Sequence, residues 1–321
     1  MSNTIIEVVK PGLATSVQDL GRTGFQAFGV VVSGAMDSFA LQVGNILVGN
    51  PREAAGIEIV IMGPELRILE DTVLAICGAD LSPKLDGELL PVWKSFSVKK
   101  GQVITFGQPK DGAYAYIAVA GGIDTPVVMG SKSTYTKAAI GGFKGRYLQK
   151  GDHLASSPFS FSLKSVSGRG LSPTYVPNYK NVEKVRVILG PDQAAIAESS
   201  IEQFLSSSYK VSTQSDRMGY RLEGAELTHK HGADILSDAV LSGTIQVPAS
   251  GQPIVLLADR QTTGGYTRIG TVISVDLPFV AQKYTGSELR FETVQVEEAQ
   301  LLYVKRERLL RCLSLGAGVI G

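Results

Sequence analysis

The chain has 321 residues, enough for two domains or one large one, with 44% hydrophobic and 19% charged side chains, the balance of a globular protein with an ample core. A net charge of +1 removes the electrostatic footprint expected of a nucleic-acid or anionic-membrane binder. The opening MSNTIIEVVKPG lacks a secretory pattern, and no apolar run approaches the ~18 residues that span a bilayer, so a cytoplasmic protein with no membrane partner is expected.

Along the chain, strand signals dominate: TIIEVV first, then GIEIVIM, TVLAIC, QVITFG, AYAYIAVA, KVRVILG, TIQVP, PIVLLA and TVISVDL. Turn formers such as PG, DG, GG and SG bound them. After the first strand, TSVQDLGRTGFQ gathers Gln18, Asp19 and Arg22 into a compact polar group before a Gly-aromatic turn. Arg22 reads equally as a ligand anchor or as the ion-pair partner of Asp19. DSFALQVGNILVGNP then predicts a helix with Ala40, Val43 and Leu47 on one face. Asp37 or Ser38 caps its start, and Gly49-Asn50-Pro51 stops it.

Further on, Gly130-Ser131-Lys132-Ser133 follows a strand and invites a phosphate-loop reading. It fails the pattern, because Ser131 separates Gly from Lys and residue 125 is Thr. Lys132 remains a candidate for phosphate or carboxylate without that fold. SPTYVPNYKNVEK reads as a linker, dividing an N-terminal β-domain (1–172) from a C-terminal one (185–321) across residues 173–184. Further helices are expected over 192–205 and over 296–313.

The richest stretch is IVLLADRQTTGGYTRIGTV, from Ile254 to Val272. An apolar strand runs into Asp259, Arg260, Gln261, Thr262 and Thr263, then Gly264, Gly265 and Tyr266. An ordinary hairpin needs only about two special turn residues, so the excess suggests a site. Arg260 offers a planar fork of donors suited to carboxylate or phosphate. Asp259 can orient that fork, accept from an amide, or act as a base. The glycines let backbone approach a ligand. The competing reading is a loop whose side chains satisfy each other.

Cys77 and Cys312 read as two buried, reduced thiols. Only three histidines are present, and HKH at 229–231 reads as a surface hairpin rather than a metal site. The halves also echo each other. Asp19 with Arg22-Thr23-Gly24-Phe25 parallels Asp216 with Arg217-Met218-Gly219-Tyr220, and GPEL (63–66) parallels GAEL (224–227). GQVITFG…DGAYAYIA parallels GQPIVLLADRQTTGGYTRI.

PGLATSVQDLGRTGFQAFGVVVSGAMDSFALQVGNILVGN, AGGI…MGSKST, SDRMGYRLEG and SDAVLSGTIQVPASGQPIVLLADRQTTGGYTRIGTV together resemble the allophanate hydrolase subunit 2 family, also called the biotin-dependent carboxyltransferase-like family. The likeness runs collinearly from about residue 4 to 300. It implies a mainly β fold of two similar cyclophilin-like β-barrel domains with a few peripheral helices. It also implies work within an ATP-dependent 5-oxoprolinase complex, opening 5-oxoproline to glutamate beside its A and B subunits, the second of them KipI-like. ATP, with magnesium, is expected at the level of that complex, with no metal ion and no biotin attachment on this chain. Where the family usually has Pro-Gly, this chain has Thr285-Gly286.

Such a site must hold a carboxylate, an amide and a triphosphate. Asp259, Arg260, Asp19 and Arg22 are the candidates for catalysis. Gln18, Lys132, Arg217, Tyr220, Gln261, Thr262, Thr263, Gly264, Gly265 and Tyr266 are the candidates for substrate binding. Two other functions fit the same resemblance. One is a biotin-dependent carboxyltransferase acting on urea or a related amide. The other is a non-catalytic partner that sequesters the KipI-like inhibitor of a histidine kinase.

Overall fold

A computed structural model of the chain describes residues 3–182 and 184–319. The chain divides into two compact units, and it passes between them more than once. One unit takes Met1–Arg22, Ser33–Lys180 and Arg308–Gly321, and the other takes Thr23–Val32 and Asn181–Glu307. Both are built mainly of short strands, as the sequence leads one to expect, with few helices.

The first unit holds two sheets. In the seven-stranded sheet, Asn3–Lys10 lies between His153–Ser156 and Glu65–Ile68, antiparallel to both. The five-stranded sheet runs Ala14–Gln18, Gly56–Val60, Asp111–Val119, Thr72–Asp80, Lys94–Val98, all antiparallel. Alternation along the two central strands explains their unbroken apolar runs. Leu74, Ile76, Ala115, Ile117 and Val119 point into a core shared with Ile6, Val8, Leu66, Ile68 and Ile104 of the other sheet. The opposite face is covered by the helix Ser38–Leu47. There Gly44 lies so close that a Cβ would sit 3.2 Å from Ala118 Cβ and 3.7 Å from Cys77 Sγ. A strand buried on both faces has no reason to alternate polar with apolar.

The helix begins where expected. Asp37 is its N-cap, and its carboxylate accepts from the Ala40 amide at 2.9 Å. Arg308 and the residues after it return to this unit; the Arg169 Nη1 donates to the Ala317 carbonyl at 3.1 Å, and Leu310 is fully buried.

The second unit is one nine-stranded sheet. Its path runs Glu288–Leu289, Tyr209–Val211, Gly219–Glu223, Ile254–Leu256, Thr244–Val247, Thr263–Val272, Val185–Leu189, Phe291–Thr293, with Asp234–Ala239 pairing off the path. Its first and last strands are separated in sequence only by Arg290, so the sheet curls until its edges nearly meet, a nearly closed barrel. Phe204, Tyr209 and Phe291 pack together and are buried, with the Phe204 and Phe291 rings stacked at 4.6 Å. The helix expected over 192–205 starts later, at Glu198, because Ala197 is extended (φ −61°, ψ 140°); the terminal helix spans Val296–Gly316.

Two smaller expectations are corrected. Cys77 is buried, but Cys312 is exposed on the terminal helix. Residues 229–231 form no hairpin strand. His229 is half-buried, and its Nε2 lies 2.8 Å from Thr267 Oγ1 and 3.0 Å from the Val247 carbonyl.

Candidate functional site

The polar stretch after Ile254 begins as expected and then departs. The strand is only Ile254–Leu256, the turn is 257–262, and Thr263, Gly264 and Gly265 already belong to the return strand Thr263–Val272. Neither glycine adopts the left-handed backbone that a tight turn demands. Their role is space. A Cβ on Gly264 would lie 2.2 Å from Gln246 Nε2 and 3.1 Å from Val240 Cγ1.

Asp259 and Arg217 face each other where the ladder between Gly219–Glu223 and Ile254–Leu256 continues past its strands. The Asp259 amide donates to the Arg217 carbonyl at 2.8 Å. The side chains pair as well: Arg217 Nε and Nη2 donate to the two Asp259 oxygens at 3.0 and 3.2 Å, with both side chains nearly buried. This two-point geometry fixes the guanidinium plane.

Arg260 differs. Its Nε and Nη1 reach only the Val240 and Leu257 carbonyls, at 3.4 and 3.3 Å, and no ion pair to it occurs among the described residues. Burial alone lowers its pKa from the usual arginine value. A half-buried guanidinium given no carboxylate keeps the capacity to pair with an anion. Gln261 donates from Nε2 to Gln246 Oε1 at 3.2 Å, and Thr263 and Tyr266 are exposed beside it. Tyr220 lies on a neighbouring strand, but its ring is buried and its hydroxyl donates to the Ala281 carbonyl at 2.8 Å.

In the first unit, Gln18, Asp19, Arg22 and Lys132 do gather, around residues 131–134. The Asp19 carboxylate accepts from the Gly21 amide (2.8 Å), the Ser131 hydroxyl (2.7 Å), the Lys132 amide and the Ser133 hydroxyl. Three of these donors meet Oδ1 and one meets Oδ2, so Asp19 organises this loop. Arg22 is buried, and its Nη2 donates to the Ser133 carbonyl; Gly141 leaves the room for it, since a Cβ there would lie 2.5 Å from that nitrogen. Gln18 donates from Nε2 to the Thr134 carbonyl at 3.2 Å. Lys132 Nζ reaches Asp124 at 3.0 Å and edges a pocket of about 190 Å³ lined with Asp19, Glu53, Gly121, Gly122 and Ile123.

Two buried groups fall outside what the sequence leads one to expect. One is a chain in the first unit. The Tyr179 hydroxyl donates to Asp37 at 2.7 Å, the Asp37 amide donates to the Tyr116 hydroxyl at 2.8 Å, and that hydroxyl donates to Glu58 at 2.8 Å. Burial first, then the neighbouring carboxylates, push both tyrosines well above the ordinary value, so they remain donors. The other is Gln246, 2% exposed. Each betrays itself only as a lone polar residue inside an apolar strand, Glu58 in GIEIV and Gln246 in TIQV. Among the described residues, no three His, Cys, Asp or Glu side chains converge as metal ligands would, and no helix is long and apolar enough to cross a membrane.

A family model described as carboxyltransferase domain, subdomain A and B, matches residues 28–293. The chain belongs to the carboxyltransferase domain family. Within it, the C subunit of 5-oxoprolinase from Escherichia coli K12 is 38% identical over 296 residues, covering 92% of this chain and 93% of that protein. The Haemophilus influenzae protein of the same name is 36% identical over 303 residues, 94% of this chain and 96% of its own length. The solved urea amidolyase of Kluyveromyces lactis superposes with a TM-score of 0.87 at 28% identity, over 98% of this chain but only 20% of that larger enzyme. The family expected from SDRMGYRLEG and ADRQTTGGY is thus borne out, and so is its mainly β architecture.

Proposed function

We propose that this carboxyltransferase-family chain is one subunit of a cytoplasmic, ATP-dependent 5-oxoprolinase, active only together with the A and KipI-like B subunits. Two relatives of nearly equal length, each named as the C subunit of a 5-oxoprolinase, support the assignment. The observation that carries a role for this chain is Arg260, half-buried, held by carbonyls alone and without an ion-pair partner among the described residues. In this reading its fork takes the carboxylate of 5-oxoproline, and Gln261, Thr262, Thr263 and Tyr266 border the same ligand. Arg217 and Asp259 hold the turn in place beneath it.

An unstrained lactam needs activation before water opens it. Phosphoryl transfer from ATP to the amide oxygen makes that oxygen a leaving group. Water then adds to the ring carbon, the C–N bond breaks to free the amine and leave an acyl phosphate, and a second water hydrolyses that to glutamate and phosphate. This chain has no phosphate loop, and its described acids do not converge. We place the nucleotide and its magnesium ion at the level of the assembled complex. The chain's own part is to bind and orient the anionic lactam.

The test is phosphate and glutamate release by the reconstituted three-subunit complex. Arg260→Ala is expected to cost at least about 100-fold in kcat/KM, as loss of a charge-assisted contact does, while the complex still assembles. Full activity in that variant overturns the assignment of this turn. A second reading, carboxyl transfer to urea or a related amide, is favoured by the family model and by the urea amidolyase likeness. This chain has no Ala-Met-Lys-Met biotin site, so turnover that depends on an added biotinylated carrier would select it. A third reading, a partner that only sequesters the KipI-like protein, predicts tight binding of that protein with no turnover in any mixture.

A further inference from the structure

One buried donor beside Arg260 is unspent. Gln246 lies in the strand Thr244–Val247 with 2% of its surface exposed. Its Oε1 accepts from Gln261, but its Nε2 has no hydrogen-bond partner among the described residues. Leaving a buried amide N–H unsatisfied is costly, and native proteins rarely do so without a reason. Only bare backbone covers that nitrogen on one side. Gly264 is next to it, and any side chain there would strike it at 2.2 Å. Val240 brackets the same space: its Cγ1 faces Gly264, its amide donates to the Thr262 carbonyl at 3.2 Å, and its carbonyl meets Arg260 Nε at 3.4 Å. The free amide donor and the guanidinium without a carboxylate thus lie on either side of Val240, and beside the amide nitrogen stands glycine backbone instead of a side chain.

We propose that Gln246 is a specificity-determining residue, whose Nε2 donates to an oxygen of the same small molecule that Arg260 binds. The ligand class is a compact anion carrying a second, uncharged acceptor, such as an amide or lactam carbonyl. Arg260 reads the charge, Gln246 reads the neutral oxygen, and Gln261 holds the Gln246 amide in orientation from its other end. This rests on the reading of the Arg260 turn as the substrate site.

The experiment uses the reconstituted complex with 5-oxoproline as the probe, comparing Gln246→Leu, Gln246→Glu and Gly264→Ala with the unaltered protein. Each is expected to raise KM about 10-fold or more, the worth of a lost hydrogen bond to a ligand. The thermal midpoint of Gln246→Leu is expected to stay within a few degrees, because the change removes an unsatisfied polar group from the interior. Combining Gln246→Leu with Gly264→Ala is expected to cost no more than either alone, since both act on one amide. A wild-type KM in Gln246→Leu, or in Gln246→Glu, which can only accept, would mean that the nitrogen meets a structural water only, and overturns the proposal. If Arg260→Ala still abolishes turnover in that case, the site reading survives and Gln246 alone is removed from it. If Arg260→Ala is silent as well, the site reading falls with it.

Discussion

Arg217 and Arg260 show how surroundings decide what a charge is for. Arg217 is paired edge-on with Asp259 in the barrel wall, and its donors are directed at that carboxylate. Removing one charge of a buried pair strands the other, which costs about 3 kcal/mol. Asp259→Asn is therefore expected to lower stability by about that amount in a denaturant titration, with little change in the slope of the transition. Arg260, the residue after Asp259, is left to carbonyls. Sequence suggests both cations as ligand contacts and has no means of separating them, because the difference lies in the strand register that brings residue 217 opposite 259. Asp19 teaches the same lesson from the acid side. Its chemistry suits a base, but the chain folds four donors onto it.

At the level of elements, the helix Ser38–Leu47 is fully legible. An acceptor at Asp37, an apolar face and a Gly-Asn-Pro stop each have a local cause, and local causes are written in sequence. What Asp37 does with its second oxygen is not legible, since Tyr179 reaches it from 142 positions away. Asp37→Ala is expected to cost more than a cap alone, about 2–3 kcal/mol, because it also leaves the buried Tyr179 hydroxyl without its acceptor. Urea denaturation compared with Tyr179→Phe separates the two parts: the double variant is expected to recover much of the loss. The glycine pair at 264–265 is legible as unusual, but a tight turn is the wrong reading of it. Glycine marks either a left-handed backbone or a crowded neighbour, and only the position of Gln246 decides between them. Gln246 and Glu58 escape a reading of the sequence because an apolar run with one polar member still satisfies the strand pattern.

Across the whole molecule the charges nearly cancel, and many sit in exposed pairs such as Lys99–Asp71 and Lys100–Glu70 that contribute little individually. Asp71, held by the Lys99 ammonium and the Lys100 amide, and Asp238, held by the Arg268 guanidinium, both titrate below the usual carboxylate value. A carboxylate whose folded pKa is depressed adds stability that is complete above its unfolded value, about 3.9, and is lost as pH falls through the folded one. The small share of stability that these two exposed carboxylates contribute is expected to hold from neutral pH down to about pH 4 and to fade below it. Asp238→Asn is expected to flatten that acid decline slightly, as thermal melts from neutral into the acid range would record.

The route of the chain has a further consequence. Arg308 and the residues beyond it pack with a unit whose other parts lie before Asn181. A ribosome delivers the chain from its N-terminus, so the first unit begun is also the last completed. The core between its two sheets draws on residues no later than Leu154, whereas Leu310, Ser314 and Val319 reach their buried places only after the second barrel has been made. A fragment cut at the apparent linker is for that reason an unfinished unit.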